Sequence, residues 1–226
     1  MAGDRPRPAG GQPRPSHRPG RRAAESRSLR VNTLHLAPLP AAQDSAALDL
    51  LDRAFAADPT LRWYLFAERP GFAQRRRDYL AIYQRFHRTS GLPTVAAWRD
   101  QQLLGLCHYS RGGEQPHADN LAWIAQAISR HCGEDCLNRL DRLLAAFDQH
   151  IDSADCARIE FLAVAPGQQG QGIGSALLSH CLQDCGRPAA LETAEPRNLR
   201  LYQRHAFQLR AELHLDGLHQ HYLLHV

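Results

Sequence analysis

One stretch constrains this chain more than any other: an apolar run, Ile159 to Val164, that stops at Pro166, crosses Gly167-Gln168-Gln169-Gly170-Gln171-Gly172 and enters a second apolar pattern from Ile173. A run of that length bounded by turn residues reads as a buried strand, and the periodic segment after it as a helix. The order strand, glycine loop, helix sets several backbone N–H groups at a helix N-terminus. There the unpaired donors and the positive dipole end favour an anion such as a phosphate. Glycines at 170, 172 and 174 remove the Cβ atoms that would hold a ligand away from the backbone.

The spacing excludes the commonest nucleotide loops. A dinucleotide fold places G-x-G-x-x-G after the first strand of a βαβ unit; here the glycines run G-x-G-x-G late in the chain. A nucleoside-triphosphate loop needs a lysine after its glycines, and the sequence contains no lysine. A second segment, Leu191-Glu192-Thr193 through Pro196-Arg197-Asn198 to Tyr202 and Ala206-Phe207, adds a strand end and a helix. Asn198 and Tyr202 fall one turn apart on one face of that helix.

Gln169-x-x-Gly172-x-Gly174 resembles the Q/R-x-x-G-x-G/A pyrophosphate loop of the GCN5-related N-acetyltransferases (GNAT). The later segment resembles the same family's second signature, with asparagine, then tyrosine four residues on, then a Gly-Phe pair. The departure is Ala206 in the glycine place, where a helix ends and alanine costs about 1 kcal/mol of left-handed strain. Residues 159–207 carry the likeness, and within the family the run 191–202 looks most like the puromycin N-acetyltransferase branch.

The resemblance implies an acetyl-CoA-dependent enzyme moving an acetyl group to a primary amine of a small molecule. It implies that Gln169, Gly170, Gln171, Gly172, Ile173, Gly174 and Ser175 hold the pyrophosphate, that Leu162, Ala163 and Val164 pair with the pantetheine arm as an added strand would, and that Asn198 bonds the same arm. Tyr202 matches the family's acid for the leaving thiolate, and Glu160, inside an apolar strand, is the first base, with Glu192 and His108 as alternatives. Acetylation of a protein N-terminus or lysine, and a silent acetyl-CoA-binding module, stay open beside it. Relatives are frequently dimeric, which allows a homodimer without requiring one.

Along the chain, residues 1–29 are rich in arginine, proline and glycine without apolar periodicity, the pattern of a disordered tail. The tail lacks the apolar core of a secretory signal, so a cytoplasmic location is expected. It supplies much of the formal net charge of +4, which leaves residues 30–226 near neutral and argues against a nucleic-acid surface on the domain. No run approaches the length of a membrane span.

The resemblance implies the fold class α/β (α+β), a mixed, mainly antiparallel sheet with helices on both faces; apolar periodicity adds a helical insertion at 118–152 between the third and fourth strands. The first strand is expected over Arg30 to Leu36, ended by Pro38 and Pro40. Helices are expected over 44–58 and 75–89, the second opening on Arg75-Arg76-Arg77 as a solvated face. Trp63, Tyr64 and Phe66 either wall a substrate pocket or belong to the core; substrate contacts are expected from the N-terminal helices and the insertion.

Six cysteines have no zinc-site spacing and read as reduced thiols. His219 and His221 share a strand face, but with no acidic or cysteine partner in view no metal site is expected.

Overall fold

The computed structural model describes residues 1–3, 33–151 and 156–226. The chain divides into two units, Met1–Val31 and Asn32–Val226, and every helix and strand described belongs to the second. The expected tail lies outside the described residues except for its first three.

The elements run β1 (His35–Pro38), α1 (Asp44–Ala54), α2 (Pro59–Tyr64), α3 (Phe72–Thr89), β2 (Thr94–Arg99), β3 (Gln102–Ser110), α4 (Ala118–Cys132), α5 (Glu134–His150), β4 (Ala157–Val164), α6 (Ile173–Cys185), β5 (Ala189–Thr193), α7 (Pro196–Arg204), β6 (Gln208–Leu215) and β7 (Leu218–His225). One seven-stranded sheet has the order β1-β2-β3-β4-β5-β7-β6. Every neighbouring pair is antiparallel except β4 with β5. The insertion, α4 and α5, sits between the third and fourth strands, as expected.

Both hairpins close through two residues at positive φ, Asp100-Gln101 (48° and 66°) and Asp216-Gly217 (48° and 86°). That backbone matches the right-handed twist of the flanking strands. Of the first strand expected over 30–36, residues 30–32 lie outside the described residues; the strand begins at His35 and includes Pro38. Among the described residues it pairs only with β2, as an edge strand, so the missing N–H is tolerated.

Helices cover both faces. One core joins Leu50, Leu51, Leu80, Leu106, Phe161 and Ala163, under α1 to α5. The other joins Leu104, Cys107, Ile173, Leu177, Leu178 and Tyr202, under α6 and α7. Trp63, Tyr64 and Phe66 are buried in the first core, which decides between a pocket wall and a core role for those aromatics.

The arginine triplet departs from the expected solvated face. Arg76 is buried and pairs with Asp52 at 2.8 Å, and Arg77 pairs with Asp49 at 2.7 Å. Arg75 donates to the carbonyls of Leu65, Phe66, Arg69 and Pro70. Arginine's five donors, carried on a long apolar stem, let one helix turn pin α1 and the α2–α3 connection together.

Candidate active site

A break in the sheet makes the site. Among the described residues, β4 and β5 pair only at Ala157↔Ala189 and Arg158↔Ala190. Beyond that point β4 continues beside β3 as far as Val164, and β5 continues beside β7 as far as Thr193. The two parallel strands therefore part like a wedge, and a cleft of about 840 Å³ lies along the freed edge of β4 and faces α7. Leu162, Ala163 and Val164 line it, on the strand edge that β5 has left.

The glycine loop closes the wide end. Gly170 and Gly172 have φ of 77° and 80°, and Gly172 occupies the N-cap of α6. A Cβ at either would meet nothing within 4 Å. The positive φ, rather than crowding, calls for glycine, and the space above the loop is open. Gly105 on β3 works differently: a Cβ there would stand 2.7 Å from the Ala163 carbonyl and 3.1 Å from Ile173 and Leu177 side-chain carbons. Its missing side chain lets the first turn of α6 lie close on the sheet.

Gln169, Gly170, Gly172, Ile173, Gly174 and Ser175 all line the cleft. The Gln169 carboxamide folds back, accepting from Gly167 N–H at 2.8 Å and donating to the Val164 carbonyl at 3.4 Å, which braces the loop. Gln171 is not among the cleft-lining residues. Its side chain accepts from Arg99 and donates to Gln168, each at 3.0 Å.

Helix α7 forms the opposite wall. Glu195 caps it and Pro196 begins it, so Asn198 lies in the first turn and Tyr202 one turn on; both face the cleft. Tyr202 is buried, and that burial pushes its phenol above the ordinary range, keeping the proton on oxygen. Ala206 adopts φ 61°, the left-handed conformation inferred for that position. Arg197 and Arg204 also line the cleft, although neither stands out in the sequence among so many arginines.

The carboxylates are distributed in a way that spacing does not reveal. Asp58 lines the cleft, caps α2 by accepting from Leu61 N–H at 2.8 Å, and is pushed up to about 6 by burial, against those helix-cap bonds and with help from Glu195 and Glu192. Glu160 lies elsewhere. The β3–β4 register passes from His108↔Phe161 to Tyr109↔Ile159, so Glu160 is the extra residue of a bulge and faces α3. Its carboxyl sits 2.9 Å from His87 Nε2.

Burial, then the charge of Glu192, pushes Glu160 up to about 8, while burial pushes His87 down to about 3. Both shifts favour the uncharged form of the pair, in which the carboxyl donates to the imidazole. His108 bonds Thr94 at 2.7 Å, and Glu192 pairs with Arg158 at 2.8 Å; neither lines the cleft. Among the described residues, the insertion contributes none to the lining of this cleft. It packs instead against α2 and α3, with Arg139 laid over Trp63 and Phe66.

Residues 57–207 match the model of the acetyltransferase (GNAT) family. The chain belongs to the GNAT family. No curated protein matches it. Solved structures share the fold at low identity. A Corynebacterium glutamicum structure described as histone acetyltransferase HPA2 and related acetyltransferase superposes with a TM-score of 0.62 and 19% identity, covering 84% of this chain and 94% of that one. Arylalkylamine N-acetyltransferase 2 from Aedes aegypti gives 0.63 and 15%, covering 86% and 99%. The Drosophila melanogaster polyamine N-acetyltransferase gives 0.60 and 16%, covering 85% and 99%.

A GNAT protein is an N-acetyltransferase that uses acetyl-CoA. The residues present fit that molecule. An open cradle of helix-terminal amides suits a pyrophosphate, and a strand edge without a partner beyond Arg158 suits an amide-bearing arm. Asp58, Arg197 and Arg204 are among the cleft-lining residues that motif spacing passes over. The only sequence signal for Asp58 is its position before Pro59, the pairing of a cap with a first-turn proline.

Proposed function

We propose that this GNAT enzyme transfers the acetyl group of acetyl-CoA directly to a primary amine of a small molecule. The observation that carries the reading is the cleft's polarity: helix-terminal amides at the glycine loop, with Arg204 in the same lining, and the part-buried carboxyl of Asp58 in the same cleft as Tyr202. Anionic phosphates suit the first and an alkylammonium the second. The arylalkylamine and polyamine N-acetyltransferases with the same fold are described as acting on amines of that kind.

In this scheme the amides of 169–174 and Arg204 bind the pyrophosphate. The main chain of Leu162 to Val164 and the Asn198 side chain hold the pantetheine arm. Asp58 takes a proton from the ammonium, whose ordinary pKa is about 10. The freed nitrogen attacks the thioester carbonyl, the C–S bond breaks, Tyr202 gives its proton to the departing sulfur, and the nitrogen's second proton restores the phenol. Glu160 is the competing base.

The pH dependence of kcat/KM separates the two carboxyls. An acidic limb near 6 that disappears in Asp58→Asn assigns the base to Asp58; a limb near 8 that disappears in Glu160→Gln assigns it to Glu160.

The class of acceptor is tested by thiol release from acetyl-CoA across puromycin, aminoglycosides, polyamines and short peptides, with the thiol dye added after quenching because the protein has six free cysteines of its own. Puromycin leads the panel because the run 191–202 looks like that branch. Release with peptides alone would replace the small-molecule reading with a protein acceptor. Tight acetyl-CoA binding without release from any amine would leave a binding module.

A further inference from the structure

The terminal hairpin carries a group of side chains that acetyl transfer does not use. Glu212 and His214 lie two apart on β6, and the register sets them directly across from His221 and His219 on β7. Residues two apart on a strand share a face, and cross-strand partners share it too, so all four project from one patch.

The His214 and His219 rings stack with centroids 4.1 Å apart, and those of His219 and His221 lie 4.3 Å apart. Glu212 reaches both residues of the opposite strand, at 3.4 Å from His219 Nε2 and 3.8 Å from His221 Nε2. Strand register therefore supplies the acidic partner that sequence spacing does not show.

We propose that Glu212, His214 and His219 form a binding site for a late first-row divalent cation, zinc foremost. Their donor atoms lie within 4.8 Å of one another. Donors on a tetrahedral zinc ion stand about 3.3 Å apart, from bond lengths of about 2.0–2.1 Å. Exposed side chains close that gap by small rotamer changes, without moving the backbone.

Two imidazoles and a carboxylate suit zinc, copper or nickel far better than magnesium or calcium, which take oxygen ligands. His221 stands beside the set with its orientation held. Its Nδ1–H donates to the Thr193 carbonyl at 3.1 Å, which leaves the Nε2 lone pair facing Glu212. Three protein ligands leave the fourth position of the ion to water or to His221. Bound there, the ion ties β6 to β7 beside the Asp216-Gly217 turn.

The test uses the untagged full chain, stripped with a chelator that is then removed, and titrated with Zn²⁺ by calorimetry and with Co²⁺ by visible absorption. The expected result is one saturable equivalent, a cobalt spectrum without a thiolate charge-transfer band, and at least tenfold weaker binding in His214→Gln and in His219→Gln. A hundredfold excess of Zn²⁺ over its Kd should raise Tm by about 5–10 °C in the parent chain and not in the double variant. The melting temperature and circular dichroism of the metal-free variants, unchanged from the parent, show that the hairpin still folds. Absence of saturable binding, a thiolate band, or binding that persists in the double variant would overturn the site. None of these readouts involves acetyl transfer, so the result stands apart from the proposed activity.

Discussion

At the scale of single residues, burial is the largest cause raising both Tyr202 and Asp58, the proposed proton donor and acceptor of the cleft. Tyr202 keeps its proton because an anion there would be poorly solvated, and Asp58 sits near 6 for the same reason. Tyr202→Phe removes only the hydroxyl. We expect kcat to fall about 10²-fold or more with acetyl-CoA affinity unchanged, read by steady-state kinetics beside calorimetry.

Asp58→Asn should behave in a contrary way on stability. Asparagine caps a helix as well as aspartate does, and it removes a carboxylate whose ionisation the fold resists. The raised pKa means this penalty is absent below about 4 and grows as pH rises to about 6. The variant should therefore melt no lower than the parent at pH 7 while losing activity. Ala206 offers the opposite kind of test, a gain without a functional cost. With φ at 61°, Ala206→Gly should stabilise the fold by about 1 kcal/mol in chemical denaturation.

At the scale of elements, α6 holds its place through what Gly105 lacks. Gly105→Ala puts a methyl against the Ala163 carbonyl and the first turn of α6. The helix start must shift, so we expect acetyl-CoA affinity to fall together with Tm, whereas Tyr202→Phe changes neither. The glycine loop and the Asn198–Tyr202 helix were legible in the sequence because local spacing alone defines them. The short helix α2 was not, because six residues carry too little periodicity to separate helix from loop. Nor was the role of Arg75 to Arg77. A run of like charges usually belongs to solvent, and only the packing of α1 against α3 gives Arg76 a partner in Asp52.

At the scale of the whole molecule, two opposing titrations shape stability. Glu160 and Asp58 are pushed up, so each costs stability as pH rises, through about 8 and about 6 respectively. His87 and His108 are pushed down, so each costs stability as pH falls below the ordinary histidine value of about 6.5. A plot of Tm against pH should bend downward on both sides. Glu160→Gln keeps a donor for His87 and cannot ionise, so it should flatten the alkaline side, gaining on the order of a few kcal/mol above pH 8 and nothing near pH 4.

What the sequence determined by itself was whatever a few neighbouring residues can encode: the loop, the Asn198–Tyr202 helix and the helical insertion, and through the two motifs a resemblance that implied the mixed sheet. What only the tertiary structure decided was which distant groups meet. A bulge turned Glu160 toward His87, a cap drew Asp58 into the cleft, and hairpin register set Glu212 across from His221 beside a pair of facing histidines. Local conformation comes from sterics and hydrogen bonds within a turn or two of the chain. Burial and charge environment depend on elements far apart in sequence, and those alone assign an ionisable group its work.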